Sequence, residues 1–211
     1  MRIHLVRHGQ TPSNLLGAID TAPPGAGLTD LGLRQAEAAG KVLAKLGVES
    51  VHASTLTRTQ LTAEPLAGRL SGEVQVWDGF REIDAARLEM RTDADSLREY
   101  GLGVYEWMLG RLDHRVADGI TGVEFLARFD AAITDVVAQG AERAAIFSHG
   151  AAIRAWVALR ATGSPTGYVG LPNTAAVTIE GDPGAGWRVV EFGQLPLGGE
   201  ELLGQSGYRQ A

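Results

Sequence analysis

The chain contains no cysteine, which removes disulfides, thiolate nucleophiles and cysteine-ligated zinc from consideration and fits a reducing compartment. It also lacks any apolar run close to the ~20 residues that span a bilayer. A strand-like segment begins at its second residue, so no signal peptide is expected either. The expected setting is soluble and cytoplasmic. Positive charge is short as well: Lys and Arg number 19 against 25 Asp and Glu, for a formal net charge of −6. Neither nucleic acid nor an anionic membrane is therefore an expected partner. Any anion this protein binds must be held by a few arginines gathered in one place.

What is present reads as a globular chain. Its 211 residues are 45% hydrophobic and 21% charged, which suits one domain over residues 1–211 with a substantial core. Arg2-Ile3-His4-Leu5-Val6 is a run of β-formers that Gly9 and Pro12 bring to an end. Val51-His52-Ala53 and the run 143–147 have the same character. Thr29 to Leu46 reads as a helix capped by Thr29, with Leu33, Ala36, Gly40 and Leu43 on one face and Gly47 as its stop. Further helices are expected at about 57–70, with Pro65 an irregularity, at 124–137 through Phe125, Phe129, Ile133 and Val136, and at 151–159. Strands at 175–179 and 188–192 flank a Gly- and Pro-rich turn. Alternating strands and helices predict an α/β three-layer sandwich with a mostly parallel central sheet. Residues 85–121 are polar with weak periodicity and read as a small helical insert or lid. The tail from Gln194 is expected to lie over the surface or fray.

Arg7 and His8 fall where the first strand gives way to a loop, the usual place for ligand chemistry in α/β sheets. A guanidinium offers a planar fork of donors that fits phosphate. Of the five histidines, His4 and His52 lie inside expected strands and read as hydrogen-bonded structural residues. His114 lies in the polar insert and reads as solvated. His8 and His149 each end a strand and each precede a glycine, so two separate strands present an imidazole to one edge of the sheet.

Arg7-His8-Gly9-Gln10-Thr11, followed by Asn14, resembles the signature of the histidine phosphatase superfamily, the phosphoglycerate-mutase-like enzymes. Three further segments are similar to that family in order: Leu28-Thr29-Asp30-Leu31-Gly32-Leu33-Arg34-Gln35-Ala36, then Ser54-Thr55-Leu56-Thr57-Arg58-Thr59-Gln60-Leu61-Thr62-Ala63, then Phe147-Ser148-His149-Gly150. The resemblance implies that His8 is the nucleophile, attacking phosphorus as a neutral imidazole. It implies that Arg7 and Arg58 hold the phosphoryl oxygens, that His149 completes the pocket, and that Gln10, Asn14 and Gly150 join the substrate contacts. It places a general acid after the third strand, where Phe80-Arg81-Glu82-Ile83 matches. Glu82 is the candidate, with Asp84 and Asp78 as alternatives. No cofactor is required. Two histidines and a carboxylate could form a metal site in principle, but two arginines aimed at the same pocket oppose a cation.

The function this implies is hydrolysis of a small phosphorylated metabolite through a phosphohistidine, as in a histidine acid-type phosphatase. The alternatives are phosphoglycerate-mutase-type transfer to a bound intermediate and a non-catalytic phospho-ligand module on the same fold. In the resembling family, cofactor-dependent mutases usually carry a longer middle insert than 211 residues allow, which favours hydrolysis. The chain departs from the family pattern after Glu82, at Asp84-Ala85-Ala86-Arg87-Leu88-Glu89-Met90. It departs again at Gly122-Val123-Glu124-Phe125, where many phosphatases show Gly-Glu-Ser. Both departures fall where the leaving group should bind. Specificity is expected from this region and from the loop at 17–27, and neither names a substrate.

Overall fold

The computed structural model describes residues 1–165, 167 and 169–204. Seven strands form one sheet: β1 (Arg2–Arg7), β2 (Ser50–Ser54), β3 (Gln75–Trp77), β4 (Arg143–Ser148), β5 (Ala161–Thr162), β6 (Ala176–Asp182) and β7 (Gly186–Phe192). Their order is β3-β2-β4-β1-β6-β7-β5. The strands β3, β2, β4 and β1 run parallel, whereas β6 lies antiparallel to both β1 and β7. Among the described residues six α-helices accompany the sheet: α1 (Pro12–Leu16), α2 (Asp30–Lys45), α3 (Thr57–Arg69), α4 (Ala94–Met108), α5 (Gly122–Ala138) and α6 (Gly150–Arg160).

The strand residues alternate between two cores, which makes the sheet the middle of three layers. Leu5, Ile146 and Val177 face a large cluster with Trp107 of α4, Phe125 and Phe129 of α5 and Trp156 of α6. Val6, Val51, Ala53 and Phe147 face the other way, onto Leu43 of α2 and Leu66 of α3. Near-continuous apolar runs in β1 and β4 follow from this two-sided burial.

Local chemistry places the helix starts. Thr29 accepts from Gly32 N to cap α2, and Thr121 and Glu124 form a reciprocal capping box on α5. The α2 stripe differs from the expected one. Leu33 is 52% exposed, and the buried face runs Gly32, Gln35, Ala36, Ala39, Gly40 and Leu43. The reason is close backbone approach. A Cβ on Gly32 would stand 2.2 Å from the Gln10 carbonyl oxygen, and one on Gly9 would stand 2.7 Å from that of Gly32. Only glycine lets the loop after β1 sit on the first turn of α2.

The region 85–121 contains α4 between two 3₁₀ turns, at Ala86–Leu88 and Val116–Asp118. Its weak periodicity has a cause. Tyr100, Val104 and Trp107 of α4 are buried, while Leu102, Tyr105 and Leu109 are exposed, so apolar residues occupy both faces. The short elements α1 and β5 carry too few residues to show a period, whereas β3 is the third strand that the resemblance implies before Phe80. Pro65 lies inside α3 without ending it. The tail to residue 204 lies on α2, where Gln35 Nε2 donates to the Leu202 carbonyl at 2.8 Å. The remainder of the expected tail, 205–211, lies outside the described residues.

Candidate active site

Four parallel strands release their chains at the same edge of the sheet, and each release carries a candidate group. His8 follows β1, Arg58 follows β2, Glu82 follows β3 and His149 follows β4. The register aligns Arg7 with Ser148 and Ser54 with Trp77, so these strand ends stand level. Parallel strands end on one side by construction, which is why residues from such distant segments meet.

The rings of His8 and His149 lie 5.3 Å apart, both almost wholly buried. His8 Nδ1 and the Gly9 carbonyl oxygen are 2.7 Å apart. A carbonyl only accepts, so Nδ1 carries the ring proton and Nε2 carries the lone pair. Burial pushes His8 well below the ordinary imidazole range, reinforced by the charges of Arg58 and Arg7 and opposed by the bond to Gly9. His149 is lowered in the same way, first by burial and then by Arg58, His8, Arg128 and Arg7. Both rings are therefore neutral near pH 7.

Arg58 is the second residue of α3 and 2% exposed. Its Nη1 lies 3.3 Å from Asp20 Oδ1, and its Nη2 donates to the Asp20 carbonyl at 2.7 Å. Burial lowers its pKa, while the charges of Asp20, Glu82 and Glu89 act to raise it. Arg7 donates from Nη1 to the Leu171 carbonyl at 2.7 Å and packs on Gly150, the first residue of α6.

Glu82 reaches the N-terminus of α6. Its Oε1 accepts from Ile83 N at 3.0 Å and Ala152 N at 2.8 Å, and its Oε2 accepts from Ala151 N at 3.2 Å. These contacts satisfy two of the backbone amides that the start of α6 leaves without an intrahelical partner. Arg128 of α5 holds the loop that carries it, donating to the carbonyls of Gly79, Arg81 and Glu82 at 2.7, 2.9 and 2.9 Å. The alternatives sit elsewhere. Asp84 is exposed and accepts from Ala86 N, and the Asp78 side chain is 68% exposed and paired with Arg81.

Asn14 and Gln10 part company. The Asn14 oxygen accepts from Thr11 N and from Asn173 Nδ2, both at 3.1 Å. Its amide NH₂ is the group left to offer a ligand. Gln10 turns toward α2: its Oε1 accepts from Thr29 Oγ1 at 2.9 Å, and its backbone N donates to Gln35. The structure does not bring the Gln10 side chain to the two histidines. Two residues that sequence reasoning missed belong to the site's frame. Asp20 holds Arg58, and Asn173 donates to the His8 carbonyl at 2.9 Å. Asn173 stands in the turn Pro172-Asn173-Thr174, and that cluster of turn formers was the one available signal. Among the described residues, no group of three or more His, Asp or Glu side chains is arranged to hold a metal ion, and no helix is long and apolar enough to cross a membrane.

Comparison with known proteins bears on the same residues. The sequence profile of the histidine phosphatase superfamily (branch 1) matches residues 3–194. The PE-PGRS family protein PE_PGRS11 of Mycobacterium tuberculosis is 35% identical over 223 residues. That match covers 95% of this chain and 38% of the relative, so the chain spans well under half of that protein. The probable phosphoglycerate mutase GpmB of Salmonella arizonae is 33% identical over 156 residues, 72% of this chain and 71% of the relative. Among solved structures, a mycobacterial glucosyl-3-phosphoglycerate phosphatase complexed with VO₃ superposes with a TM-score of 0.75 at 24% identity, over 91% of this chain and 98% of its own. A phosphoserine phosphatase from Entamoeba histolytica, in complex with 3-phosphoglyceric acid, gives a TM-score of 0.72 at 21% identity, over 93% and 98%. At these identities the two structures speak to the fold.

Proposed function

The chain belongs to the histidine phosphatase superfamily, and from that membership we propose that it is a phosphomonoesterase working through a phosphohistidine. The observation that carries the reading is His8: a neutral ring whose Nδ1 is committed to Gly9, beside His149 and within the field of two arginines. Its Nε2 lone pair is the nucleophile, and attack on phosphorus forms the N–P bond as the ester oxygen departs. Arg7 and Arg58 hold the phosphoryl oxygens and offset charge that develops during transfer. The Asn14 amide adds a neutral donor.

Glu82 gives the departing oxygen its proton and then takes one from the water that hydrolyses the phosphohistidine. Both lone pairs of its Oε1 are occupied by Ile83 N and Ala152 N, so Oε2 is the oxygen that carries this proton. In this proposal residues 85–121 act as a lid of a single domain over the leaving-group side. Glu89 supports that, since it accepts from Thr21 N and Ala22 N and ties the loop after α1 to this segment. The proposed substrate is a small phosphorylated metabolite; the acidic net charge gives no bulk attraction for nucleic acid, and the proposed setting is cytoplasmic.

Mutase chemistry is the second reading, favoured by the likeness to GpmB. One experiment separates the two. Purified protein is given a panel of phosphate monoesters and, in parallel, 3-phosphoglycerate. Release of inorganic phosphate with an acid-labile phosphoenzyme supports hydrolysis, and isomerisation without release supports the mutase. Neither product would sink both readings and leave a binding module.

A further inference from the structure

His149 is held on one side by a chain of hydroxyls whose direction can be worked out. Thr59 Oγ1 lies 2.7 Å from the Leu56 carbonyl oxygen and 3.0 Å from that of Ser54. Carbonyls only accept, so the single Thr59 hydroxyl proton points at them. Ser54 Oγ is 2.9 Å from Thr59 Oγ1, and in that contact Ser54 must be the donor. With its own proton so placed, Ser54 Oγ can only accept, from Leu56 N at 3.2 Å and from His149 Nε2 at 2.8 Å. The ring proton of neutral His149 therefore sits on Nε2. The other ring nitrogen, Nδ1, is buried and has no hydrogen-bond partner among the described residues. An imidazole expected to donate to a phosphoryl oxygen thus has its only proton committed to the wrong side.

We propose that Ser54 and Thr59 are positioning residues that hold His149 in the Nε2-protonated tautomer, so that its Nδ1 accepts a proton as a phosphoryl group binds. The proposal rests on the phosphoryl-binding reading of this site. Phosphate monoesters lose their second proton near pH 6, so a monoanion can supply the proton itself. Its P–O–H bond breaks, an N–H bond forms at Nδ1, and a dianion results beside an imidazolium and two guanidiniums. His149 then donates from both nitrogens. The buried orphan atom gains its partner in the loaded site, where it has become a donor to the charge of the phosphoryl group.

The test uses the full chain labelled with ¹⁵N-histidine, with His149 assigned from the signals lost in His149→Gln. Without ligand, Nε2 should show the shift of a protonated nitrogen and Nδ1 that of a bare one. Saturation with inorganic phosphate should make both nitrogens resemble an imidazolium. Thr59→Val keeps the shape but removes the acceptor of the Ser54 proton, so that proton turns to His149 Nε2 and the tautomer reverses. Thr59→Ser should match the wild type. Phosphate affinity in the wild type should fall about tenfold per pH unit above the second phosphate pKa, and this slope should flatten in Thr59→Val. An Nδ1-protonated His149 in the ligand-free wild type would overturn the proposal, even if Thr59→Val proved unfoldable. So would an unchanged tautomer in folded Thr59→Val. Phosphatase turnover plays no part in the ligand-free measurement, so failure of the hydrolase reading would be seen separately.

Discussion

Asp20 and Arg58 form a buried ion pair, with side chains 8% and 2% exposed. Asp20 contributes its carbonyl oxygen as well as its carboxylate, and Ser13 Oγ and Ala26 N donate to the remaining oxygen. The arginine proposed to hold phosphoryl oxygens is thus paired with an acid. Removing one partner from such a pair leaves a buried charge without compensation.

Asp20→Asn should accordingly destabilise the protein by about 3 kcal/mol, the low end for a broken buried pair because Arg58 keeps its bond to the backbone carbonyl. For a chain of this size that is a fall in Tm of roughly 6–12 °C. Inorganic phosphate should recover more Tm in the variant than in the wild type, because the anion supplies the missing charge. Equal phosphate shifts in calorimetry of both proteins would show that Asp20 does not govern the charge of Arg58.

His8→Ala should lower monoester hydrolysis by roughly 10³- to 10⁶-fold, as expected when a covalent step is lost. Rapid quench should trap an acid-labile phosphoenzyme in the wild type and none in the variant. Circular dichroism should be unchanged. Substantial turnover by the variant would remove His8 from the covalent role.

Glu82→Gln should slow esters of alkyl alcohols ~10- to 1000-fold more than esters of p-nitrophenol, whose anion leaves without a proton. The change also touches α6, since one of three amide bonds loses its acceptor. A stability loss of about 1 kcal/mol is expected with it. Arg128→Lys, which replaces the two nitrogens that reach these carbonyls by one, should show the same ester preference in weaker form by loosening the loop. Equal losses on both ester types would assign Glu82 to binding and open Asp84→Asn to the same comparison.

Stability should fall as pH drops from about 6.5 toward about 4. Burial lowers His52 to about 4, and burial with the charges of Arg2 and Arg143 lowers His4 to about 4. The unfolded chain binds these protons near 6.5 and the folded one does not, so stability is complete above 6.5 and is lost through this window. Each histidine contributes about 3 kcal/mol at full extent. His52 Nδ1 accepts from Trp77 Nε1 at 3.1 Å, a bond that protonation breaks. Urea unfolding across pH should show the slope, reduced in His52→Gln. A flat profile between pH 6.5 and 4 would contradict both assignments.

The candidate site was legible in outline because its chemistry is written locally. His8 and His149 announce themselves as imidazoles at strand ends before glycine, and Arg58 follows β2. Parallel strands then need no further instruction to bring those ends together. The start of α2 was equally local, because the Thr29 cap involves residues within one turn, whereas α5 opens at Gly122 behind Thr121, ahead of the expected 124. Periodicity misled at Leu33, where the spacing was right and the buried face was chosen by a backbone contact between Gly32 and Gln10.

By itself the sequence determined the layers, the strand ends and the phosphate-type side chains, all of which depend on neighbours a few residues away. The resemblance already named Glu82 ahead of Asp84 and Asp78, and what the tertiary structure added is position: Glu82 meets the first turn of α6, while Asp84 and Asp78 are exposed. The tertiary structure alone paired Asp20 with Arg58, set Asn173 beneath His8 and Asn14, and turned Gln10 away to Thr29. These partners lie far apart in the chain, and no spacing or period encodes them. A buried polar atom must find a partner wherever the fold places one, so its bond is settled only when the layers close.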